Sequence, residues 1–395
     1  MKLLSVNAGS STLKFRLYEM PEEKVLVKGN YERIGLDGSC YSISIGDKKI
    51  KDKVVMKDHK DAVHLLLDHL LTYNVVSSLD EIEAIGHRVV HGADKYSESV
   101  VITEDVISDI KEASPLAPLH NPAGLKGIEA FMEAIPNALN IACFDTAFHQ
   151  TMDRATYLYP VLYDWYLKHA VRKYGFHGLS HKFITEQMST ILGKTPNLII
   201  CHIGSGASIT AVEEGKSIDT SMGFTPNAGI MMGTRSGDID YTIIPYIMKK
   251  ENCTLEEVDQ KLNHEGGLQG VAGMSDLRDI DEAYLKGEER VVLAIDMYTN
   301  KIVDYIAKYY VKLHGKVDAI CFTAGGGEND PIIRSEVIKK LDALGITLDE
   351  EKNNQTVVRK GLEGVISGND STIPVYVLGT DEELMIARDT YHLVK

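Results

Sequence analysis

The chain has 395 residues, of which 44% are hydrophobic and 25% are charged, and its formal net charge is −15. This length is too great for one comfortable hydrophobic core, so a soluble globular protein of two domains is expected. The net negative charge argues against nucleic acid and acidic membranes as partners.

Composition also argues against export and membrane insertion. No apolar run approaches the ~20 residues of a membrane-spanning helix. The first residues enter a predicted strand without a basic and apolar leader. The five cysteines have no paired spacing and three lie in apolar strand-like runs, which predicts buried free thiols. A cytoplasmic protein is therefore expected.

The first motif is a predicted β-hairpin formed by residues 3–15, with a small polar turn between two apolar strands. Gly9 would let the backbone turn. The turn amides and the hydroxyls of Ser10, Ser11 and Thr12 could then surround one anion, with Lys14 close behind. An ordinary hairpin with a serine-rich turn is the alternative for this segment taken alone.

Two later segments repeat this chemistry. Residues 199–212 again show an apolar strand, a Gly/Ser turn and a strand of small and β-branched residues. Residues 319–329 run from a buried strand into glycines that would let the backbone approach a ligand. The repetition predicts two related halves, with a phosphoryl group held in a cleft between them.

Other elements of the first half follow from periodicity. Strands are predicted at 24–31 and 40–45, and a helix at 58–71 with Asp58 as its cap. A further strand is predicted to end in a loop that exposes Arg88. The buried strand that begins at residue 140 ends in a carboxylate, Asp145, at a position where α/β folds often place chemistry.

The second half is predicted to begin just beyond Asp145. Residues 157–173 are aromatic-rich and are interpreted as core or interface packing. Residues 220–240 lack strong periodicity, which suits a functional loop. A long helix is predicted at 293–313 and a strand at 373–379. A terminal helix should open near residue 381.

Five motifs, taken together, resemble the acetate kinase family. They fall in that family's order and span essentially the whole chain: residues 7–11, 86–92, 144–149, 174–178 and 232–238. The resemblance implies an α/β fold of two duplicated actin-like ATPase (ribonuclease H-like) domains with an active-site cleft between them. Residues 1–148, completed by a C-terminal helix at 381–395, would bind the acyl group and phosphate. Residues 149–380 would bind nucleotide and carry the dimer contact.

The activity implied by the resemblance is a reversible, Mg²⁺-dependent phosphoryl transfer between ATP and acetate, which gives ADP and acetyl phosphate by direct in-line attack. Acetate is already ionised at neutral pH and needs no general base, so charge is the obstacle to reaction. The resemblance assigns the acyl and phosphoryl groups to Arg88 and Arg235, and the equatorial oxygens to His177. Asp145 would direct metal or substrate. A plain surface charge is the alternative for either arginine.

The resemblance also assigns binding residues. Asn7 and Glu382 would position Mg²⁺, with Mn²⁺ as a possible substitute, although Glu382 could simply be a helix N-terminal acid. His120 would contact phosphate or bond to backbone as a loop histidine. The small acyl pocket would consist of Val90, Leu119, Phe176 and Pro226. Ser10, Ser11, Thr12 and Lys14 would bind phosphate, as their residue types already indicate. The nucleotide segments would be His202, Ile203, Gly204, Ser205 and Gly206, then Asp276, Leu277 and Arg278, and finally Gly325, Gly326, Gly327, Glu328 and Asn329.

Two positions depart from the family's usual pattern. Ser205 replaces a usual asparagine and Gly326 replaces a large aliphatic residue, and both positions lie on the nucleotide side. One alternative is therefore an acetate kinase that uses pyrophosphate, with Gly326 opening the adenosine side. A propionate or butyrate kinase of the same fold is a separate alternative. A nucleotide-driven chaperone or sensor of the same fold would not need the cluster of Arg88, Arg235 and His177. The resemblance further suggests a homodimer, and it leaves the preferred acid and the physiological direction open.

Overall fold

The computed structural model describes residues 1–118 and 120–395. Its strands are β1 Lys2–Ala8, β2 Thr12–Glu19, β3 Lys24–Glu32, β4 Cys40–Ile45, β5 Lys48–Lys53, β6 Ile82–Val89, β7 Val100–Val101, β8 Leu139–Phe144, β9 Leu198–Ile203, β10 Ala207–Glu213, β11 Lys216–Thr220, β12 Ala319–Thr323, β13 Gly364–Val365 and β14 Val375–Val377.

The α-helices are α1 His59–Thr72, α2 Glu104–Ala113, α3 Asn121–Ala134, α4 Arg154–Tyr157, α5 Tyr163–His169, α6 Gly178–Leu192, α7 Ile243–Glu251, α8 Leu255–His264, α9 Gly267–Ala272, α10 Leu277–Leu285, α11 Glu289–Lys312, α12 Ala324–Asn329, α13 Pro331–Lys339, α14 Glu350–Gln355 and α15 Glu382–Val394. The described residues divide into two compact units. Unit 1 comprises Met1–Gln150 and Asp381–Lys395, and unit 2 comprises Thr151–Thr380.

Unit 1 is built on an eight-stranded sheet in the order β5-β4-β3-β2-β1-β6-β8-β7. Strands β1 to β5 form an antiparallel meander, while β6 pairs in parallel with both β1 and β8. Helices α1 and α3 pack together, and their apolar faces join the buried side chains of β1, β2 and β3 in one core. The predicted cap of α1 is confirmed, because the Asp58 carboxylate accepts a hydrogen bond from the Asp61 amide.

Unit 2 repeats the same arrangement on a six-stranded sheet, in the order β11-β10-β9-β12-β14-β13. Its first three strands are antiparallel, and β12 is parallel to both β9 and β14. The series β3-β2-β1-β6-β8 in unit 1 therefore corresponds to β11-β10-β9-β12-β14 in unit 2. The predicted duplication is confirmed, and the chain has the duplicated actin-like ATPase fold.

Helices complete each unit as the apolar periodicity predicts. Helix α11 buries Ile295, Tyr298, Ile302, Ile306 and Tyr309 along one face, and it packs against β9 and β10. Helix α15 packs on β1 and β6 of unit 1. A Cβ atom at Gly86 of β6 would lie 2.2 Å from Thr390 Oγ1 on α15, so only glycine allows this close packing.

One expectation was wrong in detail. Arg88 does not lie in a loop, because β6 continues to Val89 and places Arg88 within the strand. For the aromatic segment before α6, the Trp165 side chain on α5 is 47% exposed, which argues against core packing and leaves interface packing as the interpretation. Aromatic content alone could not choose between the two. Across residues 1–118 and 120–395, no helix is both long and apolar enough to cross a membrane.

Candidate functional site

The hairpin between β1 and β2 forms one wall of a cavity of about 370 Å³ in unit 1. The Gly9 amide donates to the Thr12 carbonyl at 2.8 Å and closes the turn. Gly9 does not adopt a positive φ. Glycine is required there for space, because a Cβ atom would lie 2.7 Å from Thr12 Oγ1. The cavity lining includes Asn7, Ser10, Ser11, Thr12, Lys14, Arg88, Val90 and His120.

Arg88 enters this cavity from β6 and forms a two-pronged ion pair with Asp145, the residue that follows β8. Its Nε donates to Asp145 Oδ1 at 3.0 Å and its Nη2 donates to Oδ2 at 2.6 Å. Burial by itself would lower the pKa of Arg88, but Asp145 and Glu382 raise it overall, so the guanidinium stays charged. The parallel pairing of β6 and β8 places these residues side by side. Nη1 takes no part in the ion pair.

The first turn of α15 adds carboxylates to the same region of unit 1. Glu382 is half-buried, and burial raises its pKa to about 7, with Asp145 and Glu383 acting in the same direction and Arg88 opposing them. Asp381 caps the helix by accepting from the Leu384 amide. Glu382 is thus a helix N-terminal acid, as the alternative interpretation held, and it also lies among like charges that a cation would offset.

One functional contact was missed at the sequence level. His59, at the start of α1, is buried, and its Nε2 donates to the Gly9 carbonyl at 2.7 Å. This bond anchors the turn that lines the cavity. The only signal was the position of His59 directly after the helix cap Asp58. A contact across fifty residues leaves no periodic pattern.

The predicted acyl-pocket residues are distributed over both units. Val90 lines the cavity of unit 1, and His120, at the start of α3, is exposed on its rim. Phe176 is buried in unit 2, and Pro226 is half-buried there and accepts a hydrogen bond from Arg235 Nη1 at 2.8 Å. Leu119 lies outside the described residues.

In unit 2, Arg235 and His177 converge on the hairpin between β9 and β10. A Cβ atom built on Gly206 would lie 3.0 Å from Arg235 Nη2 and 3.5 Å from His177 Nε2. Within the described part of the chain, Arg235 has no carboxylate at ion-pair distance. Burial accordingly lowers its pKa. A half-buried cation without an acidic partner is a strong anion-binding group.

His177 is held in place by a network of polar side chains. It occupies the left-handed region, with φ 58°, at the start of α6. Its Nδ1 hydrogen-bonds Ser208 Oγ at 2.9 Å, and the same oxygen bonds His181 Nε2 at 2.8 Å. Its ring stacks on His202 with a centroid separation of 4.0 Å. Strained backbone of this kind persists where surrounding contacts fix it, often at functional sites. Sequence reasoning missed the support from Ser208 and His181.

A second cavity, of about 470 Å³, lies within unit 2. Predicted nucleotide residues line it: Gly204, Ser205, Asp276, Leu277, Arg278, Gly325, Gly326 and Asn329. The Ser205 carbonyl accepts from the Gly233 amide and ties the β9–β10 hairpin to the Gly233 loop. Asp276 and Arg278 pair with each other, and this hydrogen bonding lowers the pKa of Asp276 to about 2.

Other predicted nucleotide residues do not line this cavity. His202, Ile203 and Gly206 lie outside its lining, and the Gly327 carbonyl accepts from the buried Arg334. The Glu328 Oε1 atom accepts from the amides of Ala324 and Thr380, so it caps α12.

The packing around Gly326 argues against the alternative in which this residue opens the adenosine side. A Cβ atom there would lie 2.6 Å from Leu277 Cδ1 and 3.0 Å from the Ile203 carbonyl oxygen. Leu277 therefore fills the space that a larger residue at position 326 would take. Sequence inspection weighs one position at a time, whereas the packing depends on the pair.

Two duplicated domains with glycine hairpins, each beside a half-buried arginine, define a phosphotransferase of the actin-like ATPase fold. Residues 2–388 match the model of the acetokinase family. The chain is 51% identical over 396 aligned residues to an acetate kinase of Geobacillus kaustophilus, covering 99% of each chain. The chain therefore belongs to the acetokinase family.

Solved structures agree with this membership. The crystal structure of the Porphyromonas gingivalis acetate kinase is 42% identical and superposes with a TM-score of 0.93, and the match covers all of both chains. A propionate kinase from Francisella tularensis is 40% identical with a TM-score of 0.94, covering 99% of each chain.

Proposed function

We propose that this kinase transfers the terminal phosphoryl group of ATP to acetate, and that it works reversibly. An acetate oxygen attacks the γ-phosphorus in line, the bond from phosphorus to the β,γ-bridging oxygen breaks, and ADP leaves with the electron pair of that bond. Because acetate is ionised at neutral pH, no proton must be removed from the nucleophile. Catalysis then rests on positioning and on neutralising charge.

The observation that carries the proposal is Arg235 beside His177 at Gly206. A phosphoryl group in transfer spreads negative charge over three equatorial oxygens. A guanidinium without a carboxylate partner can donate to two of them, and the imidazole held by Ser208 supplies a further donor. Hydrogen-bond donors that are already fixed in place stabilise such charge without reorganisation.

On the acyl side, Arg88 is the proposed carboxylate-binding group. Asp145 occupies Nε and Nη2 and fixes the plane of the guanidinium. Nη1 is then the donor proposed for the acetate carboxylate. The methyl group of acetate is proposed to contact Val90, Phe176, Pro226 and Leu119. His120 is proposed to contact phosphate. The segment that begins at Ser10 is proposed to bind phosphate. The nucleotide roles that the resemblance assigns to the segments beginning at His202, Asp276 and Gly325 are proposed as they stand.

Magnesium is proposed as the metal, with manganese as a substitute. Across the described residues, no group of three or more His, Cys, Asp or Glu side chains is arranged to hold a metal ion. The proposed ligands, Asn7 and Glu382, fit Mg²⁺ because both offer hard oxygen atoms and because Glu382 lies among carboxylates whose charge a cation offsets. When bound, Mg²⁺ would neutralise charge on the phosphate oxygens.

The test is acyl phosphate formation from ATP, trapped with hydroxylamine, with and without MgCl₂. We expect acetyl hydroxamate only when acetate, ATP and a divalent cation are all present. Absence of product in the complete mixture, with ADP released from ATP regardless of acetate, would favour the chaperone or sensor class.

A second candidate substrate, propionate, is favoured by the likeness to the Francisella tularensis propionate kinase. One methylene is worth only about 1–3 kcal/mol in a small apolar pocket, so propionate should react more slowly and butyrate more slowly still. The same assay with the three acids orders them by kcat/KM. A higher kcat/KM for propionate would change the assignment, and pyrophosphate as donor tests the remaining alternative.

A homodimer formed through unit 2 is also proposed. Large apolar side chains are exposed in two of its segments: Val161, Leu162, Tyr163, Trp165 and Leu167 in one, and Ile239, Tyr241, Ile243 and Tyr246 in the other. Exposed apolar surface of this kind is typical of interfaces. Light scattering of the unmodified protein and of Trp165→Glu should give two masses that differ twofold. A cytoplasmic location is proposed as well, and the free buried thiols suit a reducing compartment.

A further inference from the structure

Two carboxylates in the cavity of unit 2 have no assigned role. Asp281 lies on α10 and Asp330 lies at the start of α13, and both line the cavity. Asp330 is 5% exposed. Within the described residues, Asp281 Oδ1 and Asp330 Oδ2 are buried and have no hydrogen-bond partner. Buried carboxylate oxygens normally have partners, so these two atoms need an explanation.

The two carboxylate oxygens of Asp330 have different environments. Oδ1 accepts from the Ile333 amide at 3.0 Å and caps α13. Oδ2 is the oxygen without a partner. Helix capping therefore accounts for half of this carboxylate and leaves the other half available to a ligand.

The buried cation Arg334 does not hydrogen-bond to the pair. Its charge partly offsets that of Asp330, but its Nε donates to Asn353 Oδ1, its Nη1 to the Gly327 carbonyl, and its Nη2 to the carbonyls of Asn353 and Thr356. Burial raises the pKa of Asp281 to about 7, with repulsion from Asp330 adding to it, and burial raises the pKa of Asp330 to about 6. Asp281 Oδ1 and Asp330 Oδ2 are thus two buried acceptor atoms for which the described residues supply no hydrogen-bond donor, and leaving such atoms unpaired is costly.

We propose that Asp281 and Asp330 form an acceptor pair that binds paired hydrogen-bond donors of the nucleoside and thereby selects the nucleotide. This inference rests on the proposed use of a nucleotide in the unit 2 cavity. Two groups of a nucleoside present two donors close together, namely the amino group of an adenine base and the vicinal hydroxyls of ribose. A carboxylate oxygen accepts equally well from either.

The experiment is calorimetric binding of four ligands to the unmodified protein: ADP, purine riboside diphosphate, 2′-deoxyADP and 3′-deoxyADP. Hydrogen bonds to charged groups are worth enough that removing one donor should weaken binding about tenfold or more. A selective loss with purine riboside diphosphate identifies the amino group, whereas a loss with a deoxy analogue identifies the ribose. Equal affinity for all four ligands overturns the proposal without recourse to any variant.

Variants test the residues themselves. Asp281→Asn and Asp330→Asn keep size, and asparagine can still cap α13. Each should bind ADP about tenfold more weakly and discriminate less against the sensitive analogue, while the KM for acetate stays unchanged. Asp279→Asn removes a charge from the exposed side of the same helix and should match the unmodified protein.

The two proposals fail in different ways. If the protein makes acetyl phosphate from ATP but the variants bind the analogues as the unmodified protein does, the acceptor pair is wrong and the function stands. If the unmodified protein makes no acetyl phosphate yet discriminates the analogues through these residues, the function is wrong and the acceptor pair stands.

Discussion

The two arginines assigned to the chemistry have opposite surroundings. Arg88 of unit 1 is locked in a two-pronged ion pair with Asp145, whose side chain is 2% exposed. Arg235 of unit 2 donates to the Pro226 carbonyl and, in the described residues, has no carboxylate at ion-pair distance. The pKa of Arg88 is raised by its neighbours, while burial lowers that of Arg235.

The difference shows two ways of presenting a cation to an anion. Arg88 is orientated by its carboxylate partner, and that partner reduces the net charge that a ligand encounters. Arg235 retains its full positive charge, and its own burial is unfavourable until an anion arrives. A group with uncompensated charge suits the phosphoryl group, whose charge is highest during transfer, and a fixed, neutralised group suits a weakly held carboxylate.

The largest expected effect separates the arginines by stability. Arg88→Ala leaves Asp145 buried without its partner, so the free energy of unfolding should fall by about 3 kcal/mol. Arg235→Ala leaves no carboxylate without its partner and should change the free energy of unfolding by less than about 1 kcal/mol. Urea unfolding followed by circular dichroism measures both. Equal losses in the two variants would mean that the ion pair does not distinguish the sites.

Activity should respond next, and here Arg235 should dominate. Arg235→Ala removes a donor to developing charge, which typically costs about 10²–10³ in kcat. Arg235→Lys restores charge without the planar fork and should recover only part of the rate. The readout is trapped acetyl phosphate under saturating ATP and acetate. A kcat within threefold of the unmodified rate for Arg235→Ala, on the order of 0.6 kcal/mol or less, would remove this residue from the mechanism.

Acid should weaken unit 1 through His87, the neighbour of Arg88 on β6. His87 is buried, its Nε2 donates to Asn140 Oδ1 at 2.8 Å, and burial lowers its pKa to about 4. The folded-state pKa lies below the unfolded value of 6.5. The stability gained from burying neutral His87 is therefore present above about pH 6.5 and is lost as the pH falls towards 4. The loss between pH 7 and pH 5 is about 2 kcal/mol.

His87→Gln is the matched control for this effect, since glutamine can donate to Asn140 but does not titrate. The unmodified protein should lose about 2 kcal/mol more than the variant between the two pH values in urea unfolding. In unit 2 acid has the opposite effect on the free energy of unfolding. The pKa values of Asp281 and Asp330 are raised, so acid protonates these carboxylates and removes the cost of burying their charge. Parallel pH profiles for the variant and the unmodified protein would exclude His87 as the cause.

The smallest expected effect tests how tightly Arg235 is placed. In Gly206→Ala the new methyl group would lie 3.0 Å from Arg235 Nη2, so the guanidinium must shift. We expect a loss of about tenfold in kcat, since small displacements of positioning groups are costly. Gly9→Ala in unit 1 meets the side chain of Thr12 rather than an arginine, and should leave kcat less affected. A reversed order would argue that the unit 1 turn controls the rate.

Local patterns predicted much of the fold. Some features depend only on adjacent residues or on helical periodicity, so they could be recognised directly. They are the two hairpins, the Asp58 cap and the apolar face of α11. Arg88 was misplaced in a loop because a buried charge in a strand has no local signature. For Trp165 the sequence left core and interface packing open, because hydrophobicity does not say which face is covered.

The sequence by itself determined the duplicated architecture and the residue types available for anion chemistry, because hydrogen-bonded turns and apolar periodicity act over a few residues. Tertiary structure alone decided which of those charges are compensated. Asp145 reaches Arg88 through the parallel pairing of β6 with β8, and Glu382 arrives from the end of the chain on α15. Electrostatic energy depends on distance and burial in space, and neither is encoded by separation along the chain.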